Sequence, residues 1–218
     1  MEAARIAELL KPFQEVPIPS GARFSLTERH LADISTYVDL LLRWNARINL
    51  TAIRDPENIV TRHFGESLLA ARIASSVPAN HLADIGSGAG FPGLPIKIWM
   101  PDLKVTLIES NHKKATFLRE VIRALGLTGI EAFAKRAEDF PSTSADVVTL
   151  RAVERFESVL PIADRVLAPR GRLLLLIGRD QIPQAEATLH YDWGKHISVP
   201  HSSNRVVLTG TKSPEPRK

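Results

Sequence analysis

LADIGSGAGFPGLP, residues 82–95, joins an apolar run, a glycine-rich turn and the start of a helix. The apolar run is typical of a parallel strand that is buried on both faces. Gly86, Gly88 and Gly90 have no Cβ, so the backbone there can turn tightly and approach a ligand closely. Pro92 suits the first turn of a helix, where a missing N–H group costs nothing. This order of elements predicts a nucleotide-type pocket at the carboxyl edge of a sheet.

Two cofactors fit the glycine-rich turn. The pattern G-x-G-x-x-G over 88–93 matches the dinucleotide fingerprint, with Glu109 about 20 residues further on as the acid for the ribose. The pattern D-x-G-x-G-x-G, which starts at Asp84, is the one that S-adenosylmethionine enzymes place after their first strand. S-adenosylmethionine carries no phosphate and needs no anion-binding helix terminus. Because Phe91 and two prolines stand where a pyrophosphate would need exposed N–H groups, we favour S-adenosylmethionine over NAD.

Composition sets the class of protein. The chain has 218 residues, of which 44% are hydrophobic and 24% charged, so one domain with a substantial core is expected. Its net charge of +4 favours contact with a polyanion. The absence of cysteine predicts an intracellular, cytoplasmic protein and excludes thiolate chemistry, disulfides and cysteine metal sites. No apolar stretch is long enough to span a bilayer, so we expect no membrane partner.

The first part of the chain is predicted to be helical. A short amphipathic helix over 1–13 precedes a proline-rich connector that reaches Gly21. Ser25 and Glu28 then form a capping box for a longer helix. Another helix begins at Asp55-Pro56 and runs to about residue 75.

From residue 81 onward, strands and helices alternate, which predicts a parallel sheet covered on both faces. The predicted strands are 81–85, 104–109, 129–134, 145–150 and 172–177, and the predicted helices are 92–100, 112–125, 155–167 and 181–188. His196–Val199 and Arg205–Thr209 then form a terminal hairpin. Five parallel strands with such an ending indicate the α/β, Rossmann-like sheet of class I S-adenosylmethionine-dependent methyltransferases, mostly parallel with an antiparallel end.

These elements predict a single domain over 1–218. It comprises an N-terminal helical part (1–78), a methyltransferase core (79–212) and a polar tail (213–218) that is disordered.

Three strand ends supply candidate pocket residues. Glu109 is placed to accept the ribose hydroxyls, or alternatively to stabilise the dipole of the helix that follows it. In the segment 135–140, Ala137 offers a small apolar wall for an adenine and Glu138 an acceptor for its amino group, unless this is an ordinary charged loop. Arg151 follows the fourth strand and lies either at the reaction mouth or in a buried salt bridge.

With these motifs assembled, the chain resembles the small-subunit ribosomal RNA methyltransferase G family, also called glucose-inhibited division protein B. The resemblance runs from about Leu31 to Lys212. The stretches that carry it are WNARINLTAIRDPENIVTRHFGESL (44–68), LADIGSGAGFPGLPI (82–96), ESNHKKATFL (109–118), RAEDF (136–140) and LRAVE (150–154). The first stretch lies outside the generic cofactor fold and therefore discriminates this family from other methyltransferases.

The resemblance implies methylation of guanine N7 in 16S ribosomal RNA, in the 530 loop at the position conventionally numbered 527. The expected partner is 16S ribosomal RNA or the small ribosomal subunit, and we expect a monomer without a metal. The positions that match the family's S-adenosylmethionine site are Gly86, Phe91, Ala137, Glu138 and Arg151, with Glu109, Ser110 and Asn111 at the ribose. Asp84, Gly88 and Gly90 complete the predicted cofactor site through the loop motif.

Four positions depart from the family pattern. Gly65 and Glu66 stand where the family usually has Leu-Asp before the serine, Leu150 replaces a small residue before Arg151, and Ile177 replaces a lysine after the fifth strand. We expect these changes to affect the contacts to RNA more than the cofactor site.

The implied chemistry agrees with what the sequence lacks. Guanine N7 has an in-plane lone pair and no proton at neutral pH, so no general base is required, and proximity and orientation suffice. Pyrimidine C5 methylation needs a cysteine, and exocyclic-amine methylation a Pro-Pro-aromatic motif after the fourth strand; neither is present. We predict that Arg151 and His63 lie near the target base, although His63 equally fits an interior histidine.

A broader basic surface is also predicted. It comprises Arg43, Arg47, Arg54, Arg62, Lys113, Lys114 and Arg136. The alternative functions are an RNA-binding assembly factor on a methyltransferase scaffold, or a methyltransferase with another substrate.

Overall fold

The computed structural model describes residues 1–19, 21, 25–76, 78–153 and 155–213. The tail predicted at 213–218 therefore lies outside the described residues, apart from Ser213. The helices of the first part are α1 (Ala3–Glu15), α2 (Glu28–Asn45), α3 (Pro56–Ile59) and α4 (Glu66–Ala74).

Helix α1 does not end at residue 13 but continues through Pro12 to Glu15. A proline inside a helix costs about 3 kcal/mol. Two contacts beyond it offset that cost: the ring of Phe13 is buried, worth about 1.5–3 kcal/mol, and the Arg72 guanidinium donates to the carbonyl oxygens of Phe13 at 2.7 Å and Val16 at 2.9 Å.

The capping box predicted at Ser25 and Glu28 was wrong by two positions. Thr27 caps α2: its hydroxyl accepts from the backbone N–H of His30, and His30 Nδ1 accepts from the backbone N–H of Thr27, both at 3.2 Å. A histidine ring nitrogen here replaces the carboxylate or amide oxygen of the usual capping box.

The helix predicted over 55–75 has a π-helical segment, Val60–Gly65, between α3 and α4. Asp55 caps α3 as expected, since its side chain accepts a hydrogen bond from the backbone N–H of Asn58 at 2.8 Å. π-helical turns inside α-helices occur frequently at functional sites.

The second part alternates as predicted. Its strands are β1 (His81–Ile85), β2 (Lys104–Ile108), β3 (Ile130–Phe133), β4 (Ala145–Arg151), β5 (Leu167–Gly178), β6 (Asp192–Trp193), β7 (Ile197–Ser198) and β8 (Arg205–Thr211). Its helices are α5 (Gly93–Trp99), α6 (His112–Ala124), α7 (Phe156–Val166) and α8 (Ile182–Thr188).

The strand order is β3-β2-β1-β4-β5-β8-β6, with β7 also paired to β8. Strands β1 to β5 are parallel, and β8 runs antiparallel to β5, β6 and β7. The predicted methyltransferase sheet and its terminal hairpin are confirmed, whereas the two-residue strand β6 was missed. Strand β5 begins at Leu167 rather than at 172, because Leu167 already pairs with Ala145 ahead of a register shift.

Apolar side chains cover both faces of the sheet. One cluster joins the N-terminal helices to the sheet and includes Phe13, Tyr37, Phe64 and Phe117. The other cluster packs α7 and α8 against the opposite face. In the described part of the chain, no helix has both the length and the apolar character needed to cross a membrane.

Candidate functional site

The glycine-rich turn follows β1 at the carboxyl edge of the sheet. Gly86, Gly88 and Gly90 have φ angles of +70°, +55° and +94°, a region in which a side chain is strained. The backbone N–H groups of Gly86 and Ser87 donate to the carbonyl oxygen of Ile108 at 2.9 Å and 3.1 Å, which ties the turn to the end of β2. The turn is therefore fixed in shape by its own backbone.

The glycines differ in what surrounds them. Among the described residues, a Cβ on Gly88 would come no nearer than 3.8 Å to an atom outside the adjacent residues, an ordinary van der Waals contact. A Cβ on Gly90 would overlap Tyr37 Oη and Leu94. A side chain therefore has space at Gly88, whereas at Gly90 the space is taken by Tyr37 and Leu94.

Asp84 is buried below the turn, at 1% exposure. Its Oδ1 accepts from the Thr149 hydroxyl at 2.7 Å and its Oδ2 from the Gly93 backbone N–H at 3.2 Å. Burial raises the pKa of Asp84 to about 6, and these hydrogen bonds oppose the rise. The carboxylate thus joins β1, β4 and the start of α5.

Glu109 connects the turn to the start of α6. Its Oε2 accepts from the backbone N–H of Gly88 at 2.9 Å and its Oε1 from that of Asn111 at 2.7 Å. The Asn111 side chain caps α6 by accepting from the backbone N–H groups of Lys113 and Lys114 at 3.0 Å and 3.2 Å. Glu109 therefore meets both the glycine turn and the helix terminus.

A cleft of about 440 Å³ opens beside the turn. Of the predicted cofactor residues, five line it: Gly86, Glu109, Ser110, Ala137 and Glu138. The others, which do not line it, are Asp84, Gly88, Gly90, Phe91, Asn111 and Arg151.

Arg165, which the sequence analysis missed, shapes the wall of this cleft. Its guanidinium donates to the carbonyl oxygens of Ala137 at 2.7 Å, Glu138 at 3.0 Å and Phe140 at 2.7 Å. Nothing in the local sequence of α7 marks this arginine, since its partners lie in a separate segment.

Arg151 ends β4 and points into the helical part. Its Nε and Nη2 donate to Glu66 Oε2 at 3.1 Å and 3.0 Å, and Nη2 also donates to the Arg62 carbonyl oxygen at 3.1 Å. The next residue, Ala152, has a φ of +51°, and the chain bends immediately after Arg151. Of the two expectations for Arg151, the buried salt bridge is the one these contacts describe.

His63 lies against Arg151. Its Nδ1 is 2.8 Å from Arg151 Nη2, and because a guanidinium only donates, Nδ1 accepts and Nε2 donates to Thr51 Oγ1 at 2.9 Å. Burial, together with the charges of Arg151, Arg205 and Arg62, lowers the pKa of His63 to about 2. The neutral ring fits the expectation of an interior histidine.

Aromatic rings connect His63 to the glycine turn. Phe91 stacks on His63 at 4.7 Å and on Tyr37 at 5.2 Å. Tyr37 Oη donates to the carbonyl oxygen of Ala89, and the Phe91–Pro92 peptide bond is cis. Phe91 thus lies between the turn and the π-helical segment, outside the cofactor cleft.

Glu66, one of the departures from the family pattern, is the centre of this ionic cluster. At 1% exposure, its Oε2 also accepts from Arg205 Nη2 at 2.8 Å, a partner that the sequence analysis missed. Oε1 has no hydrogen-bond partner among the described residues, and its nearest ion-pair contact is Arg62 Nε at 3.7 Å.

The other departures are packing positions. A Cβ on Gly65 would lie 2.5 Å from the ring of Phe13, so α1 occupies the space of the larger residue in the family. Leu150 and Ile177 are buried in the cluster under α7 and α8.

Comparisons with known proteins agree on one family. The family model described as rRNA small subunit methyltransferase G matches residues 30–207. A relative from Chloroflexus aggregans, named ribosomal RNA small subunit methyltransferase G, is 42% identical over 199 residues, which cover 84% of this chain and 83% of that protein. A relative of the same name from Streptococcus pyogenes serotype M5 is 37% identical over 208 residues, 88% of this chain and 87% of that protein.

Solved structures support the fold alone. A ribosomal protein L11 methylase from Lactobacillus delbrueckii subsp. bulgaricus has a TM-score of 0.58 at 16% identity, covering 70% of this chain and 79% of that chain. The TYW2 protein of M. jannaschii, in complex with AdoMet, has a TM-score of 0.52 at 16% identity and covers 76% of this chain and 78% of its own.

Proposed function

Since the chain belongs to the rRNA small subunit methyltransferase G family, we propose that it methylates N7 of a guanine in 16S ribosomal RNA. The chain is an S-adenosylmethionine-dependent ribosomal RNA methyltransferase. We propose further that the methylated atom is N7 and that the guanine is the one conventionally numbered 527, in the 530 loop. The substrate is 16S ribosomal RNA, alone or within the small ribosomal subunit, and the place of action is the cytoplasm, where that RNA resides.

The hydrogen bonds of the glycine turn are the observation that best supports this cofactor over NAD. A pyrophosphate needs free backbone N–H groups. Here the N–H groups of Gly86 and Ser87 donate to Ile108, that of Gly88 to Glu109, and that of Gly90 to the Ser87 carbonyl oxygen at 2.6 Å. A cofactor without phosphate fits a turn whose N–H groups are already used.

The cleft beside the turn fits S-adenosylmethionine. Its volume of about 440 Å³ lies within the range of small-molecule sites, about 300–1,000 Å³. Each oxygen of Glu109 accepts one hydrogen bond and keeps a lone pair for a ribose hydroxyl. We propose that Glu109 holds the ribose, that Ala137 and Glu138 hold the adenine, and that Gly88 leaves room for the methionyl part.

When bound, S-adenosylmethionine supplies an electrophilic methyl group on its sulfonium. The chain's own residues then need only to position the nucleophile, because guanine N7 carries no proton at neutral pH. His63 is a poor general base, since its pKa is about 2 and both ring nitrogens are hydrogen-bonded. This arrangement favours a reaction without proton abstraction from the target atom.

The test is to map methylated nucleotides in 16S ribosomal RNA from cells with and without the gene. We expect one 7-methylguanosine, at the position numbered 527, to be lost without the gene and restored by the purified protein with S-adenosylmethionine. Calorimetry should show binding of S-adenosylmethionine and none of NAD. RNA binding without any methyl transfer would favour an assembly factor instead.

A further inference from the structure

A second cleft, of about 590 Å³, lies between α1, the π-helical segment and the loop that follows β7. We call it the front cleft, and its lining includes Glu57, Arg62 and Glu66. It opens at the same edge of the sheet as the cofactor cleft. Arg205, which pairs with Gly178 at the end of β5, and Arg151, at the end of β4, both contact Glu66 there.

Glu66 Oε1 is the chemically distinctive atom beside the front cleft, from which the Arg62 side chain separates it. Its partner oxygen, Oε2, accepts from Arg151 and Arg205, which hold the carboxylate in one orientation. Oε1 accepts no hydrogen bond from the described residues, and Arg62 Nε at 3.7 Å is beyond hydrogen-bond distance. A buried acceptor without a donor costs about 1–3 kcal/mol, more when it is charged, so this oxygen favours a ligand that donates.

We propose that, when the half-exposed Arg62 side chain moves aside, Glu66 Oε1 accepts hydrogen bonds from N1–H and the N2 amino group of the guanine that is methylated, which makes Glu66 a specificity-determining residue. This inference rests on the proposed function. A carboxylate only accepts, and among the four RNA bases guanine alone presents two adjacent donors on its Watson–Crick edge. Adenine also has an N7 lone pair, but it presents the N1 acceptor where guanine presents a donor, and two acceptors repel each other.

The same contact sets the orientation of the base. In guanine, N7 lies on the edge opposite to the N2 amino group, so a base held through N1 and N2 keeps N7 free to react. The half-exposed Arg62 guanidinium lies at the rim, where it can meet a phosphate of the nucleotide. The base must leave its stack to enter, as in other sequence-specific RNA recognition.

The test compares guanosine with inosine, which lacks only the N2 amino group. Single-turnover methylation is measured on 16S RNA ligated from segments that carry either nucleoside at the target position. We expect the wild type to methylate guanosine about 10-fold faster or more, the effect of one charge-assisted hydrogen bond. In Glu66→Gln the amide oxygen stays with the arginines and the amide NH₂ faces the base, so the ratio should fall to about 1.

The matched control is Glu57→Gln, which neutralises an exposed carboxylate of the same cleft and should keep the wild-type ratio. Glu66→Asp keeps an acceptor and should retain the preference for guanosine. If Glu66→Gln slows both substrates equally, or if the wild type does not discriminate, the inference is overturned while the proposed function stands. If the wild type methylates neither the guanosine RNA nor the native subunit at N7 of the target, the proposed function itself fails. The comparison of the two nucleosides in the wild type does not depend on the folding of any variant.

Discussion

At the scale of one residue, Arg151 both lies at the carboxyl edge of the sheet and forms a buried ion pair that contributes to the stability of the fold. It ends β4 at the carboxyl edge, where the target must approach, and its side chain is only 9% exposed and bound to Glu66. The sequence left two predictions open for Arg151, a position at the reaction mouth and a buried salt bridge. Its hydrogen bonds to Glu66 are those of a buried salt bridge, and the position at the reaction mouth stays a prediction.

We therefore predict that Arg151→Ala reduces methyl transfer and also destabilises the fold. Removing one partner of a buried ion pair costs about 3 kcal/mol, because the remaining charge loses compensation. The free energy of unfolding in urea measures this loss, and Arg123→Ala, at an exposed position outside the cofactor cleft, is the control. An unchanged unfolding free energy in Arg151→Ala would show that Arg205 alone satisfies Glu66.

His63 predicts a pH dependence of stability. Its pKa is about 2 in the folded protein and about 6.5 in the unfolded chain, so between these values the unfolded chain binds a proton that the folded protein does not. Stability contributed by the neutral ring is thus full above pH 6.5 and is lost as the pH falls.

Comparison with His63→Gln isolates this effect. Between pH 7 and pH 5 the wild type should lose about 2 kcal/mol more unfolding free energy than the variant, since one pKa unit corresponds to about 1.4 kcal/mol. Asp84, whose pKa is raised to about 6, acts with the opposite sign but equally in both proteins. A difference between the two proteins that is independent of pH would mean that His63 titrates normally.

At the scale of elements, substitutions at two glycines of the glycine turn test ligand binding and stability separately. Gly88→Ala places a Cβ where we propose that the methionyl part binds, so it should weaken S-adenosylmethionine binding at least 10-fold, with a loss of stability limited to the backbone strain at its φ of +55°. Gly90→Ala drives a Cβ into Tyr37 and Leu94 and should lower the melting temperature instead.

Calorimetry and thermal melting on both variants measure the two effects. Gly21→Ala, at a positive φ with no atom of the described residues within 4 Å of the added Cβ, controls for backbone strain. Loss of stability in Gly88→Ala without loss of binding would place the methionyl part elsewhere.

The elements that were predicted correctly are those with a strong local signal. The apolar runs of β1, β2 and β4 and the helical spacing of α6 and α7 define their elements without reference to the rest of the chain. Two of the misses arise from tertiary contacts. Helix α1 passes Pro12 because Arg72 and buried apolar surface hold its end, and β6 forms only because β8 offers an edge to pair with.

At the scale of the whole molecule, the candidate site also combines residues with a local sequence signal and residues that only tertiary contacts bring together. The residues found by motif, such as Gly86 and Glu109, lie within or next to one turn. Arg205 and Glu66 are 139 positions apart in the sequence, and only the folded sheet brings them together. A single sequence carries no local signal for such a pair.

Positive charge is exposed on the N-terminal helical part (1–78) and near the carboxyl edge of the sheet. Arg43, Arg47 and Arg54 are exposed, and so are Lys113 and Arg136 near the carboxyl edge. Trp44, between the first two, packs on Phe117 of α6, and Asn45 holds the loop that carries Thr51, the partner of His63. The end of α2 therefore lies beside the ionic cluster.

We predict that this surface binds RNA through its phosphates. Because each neutralised phosphate releases counterions, methyl transfer to RNA should weaken steeply as salt rises, whereas binding of S-adenosylmethionine, which has no phosphate, should change little. Charge reversal of Arg43 and Arg47 together should raise the RNA concentration at half-maximal rate without altering donor affinity. The matched control reverses Arg123 and Arg170, exposed at the opposite edge of the sheet, and should leave that concentration unchanged. Methylation that is independent of salt, or equal RNA dependence in the two double variants, would place the RNA surface on another face of the molecule.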